Sequence, residues 1–105
     1  MDKFKICLTN IRSIRKNAND IKYFLQDNAV DVMGVCETWL KAATEVRLPS
    51  EYEIIREDRP DQSGHGGVAI IVKKELRAIR LPIQRNQRAP ETVACEIQDQ
   101  TGAKI

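Results

Sequence analysis

At 105 residues the chain has room for one domain with a genuine core, and it is short for an enzyme. An apolar fraction of 42%, a charged fraction of 30% and a net charge of +2 lie near the globular norm, so no global field calls for a polyanionic partner. A single histidine and three scattered cysteines argue against a structural zinc site, and no stretch has the length of a membrane span.

Phe4-Lys5-Ile6-Cys7-Leu8-Thr9 alternates and predicts a strand, with Phe4, Ile6 and Leu8 on one face and Cys7 on the other. A polar, basic loop follows from Asn10 to Lys16. Ala18, Ile21, Phe24, Leu25 and Asn28 recur at helical spacing and predict a helix over about residues 18 to 28, with Asn17 or Asn19 as N-cap. Val30 to Cys36 is a near-continuous apolar run, which predicts a strand buried on both faces. Strand, helix, strand in this compass is a βαβ unit, its two strands parallel in one sheet.

The second half changes character. Tyr52–Arg56, Gly67–Lys73, Arg77–Leu81 and Thr92–Ile97 are strand candidates, separated by turn-rich Asp58–Gly66 and Arg85–Pro90. Such spacing predicts antiparallel hairpins, and the fold class is α/β (α+β). Cys7, Cys36 and Cys95 each sit in an apolar run, which suits buried, reduced thiols in an intracellular protein. The basic run from Lys73 to Arg88 reads first as edge and loop charge that discourages aggregation, and second as a phosphate-contacting surface. Gln98–Gly102 reads as a hairpin turn and Ala103-Lys104-Ile105 as the opening of a returning strand. Residues 1–105 are therefore expected to be the N-terminal portion of one longer domain.

Parallel neighbouring strands end on the same edge of a sheet, the edge where α/β proteins bind ligands. Asn10 follows the first strand and Glu37 the second, so the fold itself would bring them together. A carboxylate beside an amide oxygen offers hard ligands that suit Mg²⁺ or Mn²⁺, and Arg12 and Arg15 on the adjoining loop would face a bound phosphate. Strand-end polar residues usually just cap or hydrate, so these residues alone read first as a capping Asn and a solvated Glu, and second as a metal site.

Four pieces in order carry a resemblance: Asn10-Ile11-Arg12-Ser13-Ile14, Asp31-Val32-Met33-Gly34-Val35-Cys36-Glu37-Thr38-Trp39-Leu40, Arg56-Glu57-Asp58-Arg59 and Gly66-Gly67-Val68-Ala69-Ile70. Together they resemble the endonuclease/exonuclease/phosphatase superfamily, and within it the apurinic-endonuclease-like domain of jockey-type non-LTR retrotransposons. The resemblance implies the N-terminal half of a DNase I-like four-layer α/β sandwich. It implies a Mg²⁺- or Mn²⁺-dependent endonuclease that nicks target DNA for retrotransposition and is normally fused to a reverse transcriptase (an RNA-directed DNA polymerase). Glu37 would be the metal ligand, Asn10 would help form the metal and phosphate site, and Trp39 would pack under the following loop. Arg12 stands where apurinic-repair relatives carry an acidic residue, which fits the retrotransposon subgroup better.

The family's later catalytic elements, a Gly-Asp-Phe-Asn stretch and a Ser-Asp-His ending, are absent from this sequence. His65, in a Gly-rich hairpin, reads as an exposed loop residue and not as the general base. The chain alone is therefore expected to be inactive, and nuclear at the family's point of action. Lacking its second sheet, it would present Val68, Ile70 and Val72, with Val93, Cys95 and Ile97, as apolar surface, and would be aggregation-prone or molten. Two other readings compete: another phosphoesterase or phosphatase of the superfamily, and a non-enzymatic module that binds a partner through its basic segment.

Overall fold

The computed structural model describes residues 3–60, 64–83, 91–99 and 101–105. The alternating N-terminal segment forms β1 (Ile6–Asn10), the helical spacing forms α1 (Ala18–Asp27), and the apolar run forms β2 (Val32–Cys36). β3 (Tyr52–Glu57), β4 (Val68–Lys73), β5 (Ile79–Arg80) and β6 (Cys95–Glu96) follow. β1 and β2 pair in parallel, with Asn10 opposite Cys36, as the βαβ reading requires. β4 runs antiparallel to both β2 and β3, which gives a mixed sheet in the order β1-β2-β4-β3, while β5 and β6 form a separate antiparallel ribbon. Residues 61–63 of the turn-rich Asp58–Gly66 piece, and all of Arg85–Pro90, lie outside the described residues.

Residues at paired positions share a face of the sheet. Cys7, Met33, Ile71 and Ile54 form one cross-strand row, and Thr9, Val35, Ala69 and Arg56 form the next. α1 covers this face with Ile21 and Leu25, one helical turn apart, and Ile14, Val30, Leu40 and Tyr52 close the core around them. Phe24, assigned by spacing to the apolar stripe, is instead 48% exposed. It lies at the β1 rim, beside Cys7 and Leu8, because Ile21 and Leu25 already occupy the sheet.

The opposite face carries Ile6 and Leu8 from β1, Val32 from β2, and Ile70 and Val72 from β4. Burial of β2 on both faces, expected from its apolar run, holds on one only: Met33 and Val35 are buried, whereas Val32, Gly34 and Cys36 are half-buried. Coverage explains the difference. The β5–β6 ribbon docks against β3, where Arg80 pairs with the Glu57 carboxylate and donates to the Arg56 carbonyl at 2.7 Å, and β1 is at the other edge of the sheet. Val72 is accordingly buried, contrary to the expected exposure along β4, and the bare apolar surface falls on β1 instead.

The three cysteines are free and half-buried, less enclosed than the runs around them suggest, and burial pushes the Cys7 and Cys95 thiols up from their ordinary value. Part of the basic run is committed to internal pairs, Lys73 with the buried Asp31 at 3.4 Å and Arg80 with Glu57. The predicted turn at the end of the chain is present, with Gln98 bridged to Lys104 and the Asp99 N–H donating to the Ala103 carbonyl at 2.8 Å.

One buried polar group ties the helix to the sheet. The Tyr52 hydroxyl, from the start of β3, donates to the Val30 carbonyl at 2.6 Å and the Leu25 carbonyl at 3.2 Å, where α1 turns into β2. Tyr52→Phe should remove this tie without leaving a cavity. We expect an unfolding free energy lower by about 1–3 kcal/mol in urea titration, because the buried Val30 carbonyl loses its partner while the Leu25 carbonyl keeps only the Val30 N–H at 3.1 Å. An unchanged midpoint would show that the carbonyls are satisfied without the hydroxyl.

Candidate functional site at the ends of β1 and β2

Beyond their paired strands the two chain segments stay locked together. Ile11 N–H donates to the Cys36 carbonyl at 3.0 Å, Ser13 N–H to Glu37 at 3.0 Å and Ile14 N–H to Thr38 at 3.1 Å. The Asn17 side chain reinforces this loop. It precedes α1 as the N-cap residue, yet it makes no side-chain capping bond; its amide donates to the Ile11 and Ser13 carbonyls at 3.1 and 3.0 Å. The expected capping role is thus replaced by a loop brace, since a short amide cannot face the helix N–H groups and these carbonyls at once.

On the other side, the segment after β2 is held by the loop before β4. Thr38 N–H donates to Gly67 at 3.3 Å and Trp39 N–H to Gly66 at 2.9 Å. Thr38 is fully buried between these strands. Gly67 has φ +88°, and a Cβ there would collide with the Thr38 hydroxyl, so this close backbone approach needs glycine on two counts.

The backbone at this edge is strained. Among the described residues, six that are not glycine have positive φ, and Arg12, Ser13, Glu37 and Trp39 are four of them. Such conformations persist only where surroundings over-determine them, and they cluster at functional sites. The hydrogen bonds just described supply that over-determination. They hold Asn10, exposed, and Glu37, half-buried, at adjoining strand ends, as the strand pairing predicts.

The Glu37 carboxylate accepts one hydrogen bond, from the Trp39 indole N–H to Oε2 at 2.8 Å, and the Asn10 side chain has no hydrogen bond among the described residues. The Trp39 ring also meets His65 edge-on, with centroids 5.0 Å apart and planes at 70°. His65 is exposed, as expected. An open cleft of about 420 Å³ is lined by Ser13, Arg15, Lys16, Trp39 and Gly64. Arg15 thus reaches the site's flank, whereas Arg12 stands exposed on the turn before it. Lys16, Ser13 and the Trp39–Glu37 bond escaped the sequence reading; the only available signal was a lone tryptophan two residues after a strand-end carboxylate.

Among the described residues no three His, Cys, Asp or Glu side chains converge. The donors at the edge are one carboxylate and one amide oxygen, both hard. That set fits a Mg²⁺-like ion that keeps most of its waters, and not zinc or another metal that needs nitrogen and sulfur.

The profile of the endonuclease/exonuclease/phosphatase family matches residues 7–101. The chain is similar to the RNA-directed DNA polymerase from mobile element jockey of Drosophila melanogaster, 33% identical over 85 residues, which are 80% of this chain and 9% of that protein. Its fold is similar to the AP endonuclease LMAP from Leishmania major, with a TM-score of 0.68 and 19% identity over 96% of this chain and 38% of that one. An AP endonuclease from Archaeoglobus fulgidus gives 0.62 and 19%, over 90% of this chain and 37% of that one. The 3′ phosphatase NExo from Neisseria, bound to product DNA hairpin, gives 0.60 and 16%, over 92% and 38%. The chain thus spans less than two-fifths of the length of each of these proteins. The mixed α/β sheet matches the AP endonuclease architecture, and the jockey relative is itself the polymerase of a mobile element. With nearly its whole length inside the family's profile, the chain belongs to the endonuclease/exonuclease/phosphatase family.

Proposed function

We propose that this chain is the N-terminal part of a divalent-metal-dependent endonuclease domain, one that nicks DNA for a retroelement whose reverse transcriptase lies in the same polypeptide. The observation that carries the reading is the locked, strained junction holding Asn10 and Glu37 at adjoining strand ends. The family and the jockey relative support the reaction class and the setting; chromosomal DNA as target would put the reaction in the nucleus.

Glu37 and Asn10 would hold the cation. A Mg²⁺ or Mn²⁺ bound there supplies Lewis acidity and neutralises phosphate charge. The remaining roles belong to side chains of this chain. Arg15 and Lys16 on the cleft, and Arg12 beside it, attract and orient the DNA backbone, and Arg can do so through paired N–H donors. The hydrogen bonds from Ile11, Ser13 and Ile14 to the β2 extension keep the donors from shifting under that load.

Mn²⁺ followed by electron paramagnetic resonance, with Mg²⁺ competition, tests the site. Binding is expected to be weak, because one carboxylate gives a water-rich ion little, and Glu37→Gln should abolish it. A tight site that survives Glu37→Gln would place the cation elsewhere and overturn the reading.

A further inference from the structure

A carboxylate that holds a cation must point one oxygen outward, and something has to fix it. In this chain the only hydrogen bond to the Glu37 carboxylate among the described residues comes from Trp39 Nε1, 2.8 Å from Oε2. We infer that Trp39 is a positioning residue for Glu37, its indole N–H anchoring Oε2 so that Oε1 is presented to the cation; this rests on the reading that Glu37 is the cation's ligand.

Three features support the inference. First, the geometry is built, not incidental. Glu37 and Trp39 both take left-handed φ, +59° and +56°, on either side of fully buried Thr38. In an L-residue each such turn is unfavourable, and together they bring the indole back to the carboxylate two residues earlier. Second, the donor is neutral. A lysine or arginine at this point would compensate the carboxylate's charge and compete with a cation, whereas an indole N–H, a donor only, orients the group and leaves its charge for the ion. Third, the indole itself is held. Its backbone N–H donates to Gly66, and its ring lies edge-on to His65, so the loop before β4 fixes the residue that fixes the ligand.

Trp39 is the chain's single tryptophan, so its emission reports on this one hydrogen bond. Saturating Mg²⁺ should change the emission of the 105-residue chain at low micromolar concentration, with a half-point equal to the Mg²⁺ dissociation constant obtained from the Mn²⁺ competition, and Glu37→Gln should silence the response. Trp39→Phe, which keeps a ring and deletes the donor, should weaken Mn²⁺ binding about tenfold or more, with little change in far-UV circular dichroism or in protection from limited proteolysis. A residue that only packed would change the circular dichroism or the proteolysis and leave Mn²⁺ affinity alone. Wild-type affinity in Trp39→Phe, or emission indifferent to saturating Mg²⁺, would overturn the inference while leaving Glu37 as the ligand. Mn²⁺ binding unaffected by Glu37→Gln would overturn both. If Trp39→Phe fails to fold, the emission titration of the wild-type chain decides alone.

Discussion

Incubated with supercoiled plasmid and Mg²⁺, the purified 105-residue chain is expected to leave the DNA intact, whereas a chain lengthened to the extent of its structural relatives should nick it. In-line displacement at a phosphodiester needs a held cation, an oriented water and a group within hydrogen-bond reach to take its proton. The described edge supplies Glu37, Asn10 and flanking cations. Its one histidine, His65, is exposed on a loop with its ring against Trp39, and we propose that it braces the site and is not the base. Members of a cooperative catalytic unit do not contribute fractionally: losing one costs about as much as losing several, on the order of 10³-fold or more. Glu37→Ala serves as the contamination control in both lengths. Nicking by the 105-residue chain that vanishes with Glu37→Ala would show these residues to be sufficient, and the assignment of the base elsewhere to be wrong.

What the sequence disclosed about this site follows from the range of the forces involved. β1, α1 and β2 were legible because a βαβ unit is local. An alternating run, a helical spacing and an apolar run specify it, and parallel pairing then delivers Asn10 and Glu37 to one edge without further information. The place of β4 was not legible. Hairpin spacing puts it beside β3, but its insertion against β2, Gly34 opposite Ile70, is a long-range choice that neither segment announces. Nor could alternation decide which face of β1 is buried. Ile6 and Leu8 are more apolar than Cys7 and Thr9, yet α1 crosses over Cys7, since the crossover helix and not local hydropathy selects the covered side. The left-handed turns at Glu37 and Trp39 carry no glycine or asparagine to signal them; they are imposed by Gly66 and Gly67 about thirty positions later, through hydrogen bonds to Thr38 and Trp39.

That bare face of β1 has a consequence in solution. Ile6 and Leu8 are 69% and 78% exposed, Leu8 lies across Gly34, and the half-buried Val32 and Ile70 continue the apolar surface inward. β1 is also an edge strand, with one neighbour, β2, among the described residues, so unpaired backbone groups adjoin the apolar patch. Covering a side chain of this kind is worth about 1.5–3 kcal/mol, so Ile6 and Leu8 alone offer a partner surface roughly 3–6 kcal/mol. A small domain's whole stability is about 5–15 kcal/mol, which makes self-association through this edge competitive with remaining a folded monomer. The 105-residue chain should therefore sediment as concentration-dependent oligomers, bind a hydrophobic dye and melt over a broad range. The double substitution Ile6→Lys and Leu8→Lys should suppress both association and dye binding. It leaves the packed row of Cys7, Met33 and Ile71 under α1 untouched, so cooperative melting should sharpen, not vanish. A wild-type chain that sediments as a compact monomer, melts sharply and ignores the dye would mean that this face is covered by the chain itself. In that case Ile6 and Leu8 would be interior residues, and the double lysine variant would unfold, because two charges would then lie inside the core without partners.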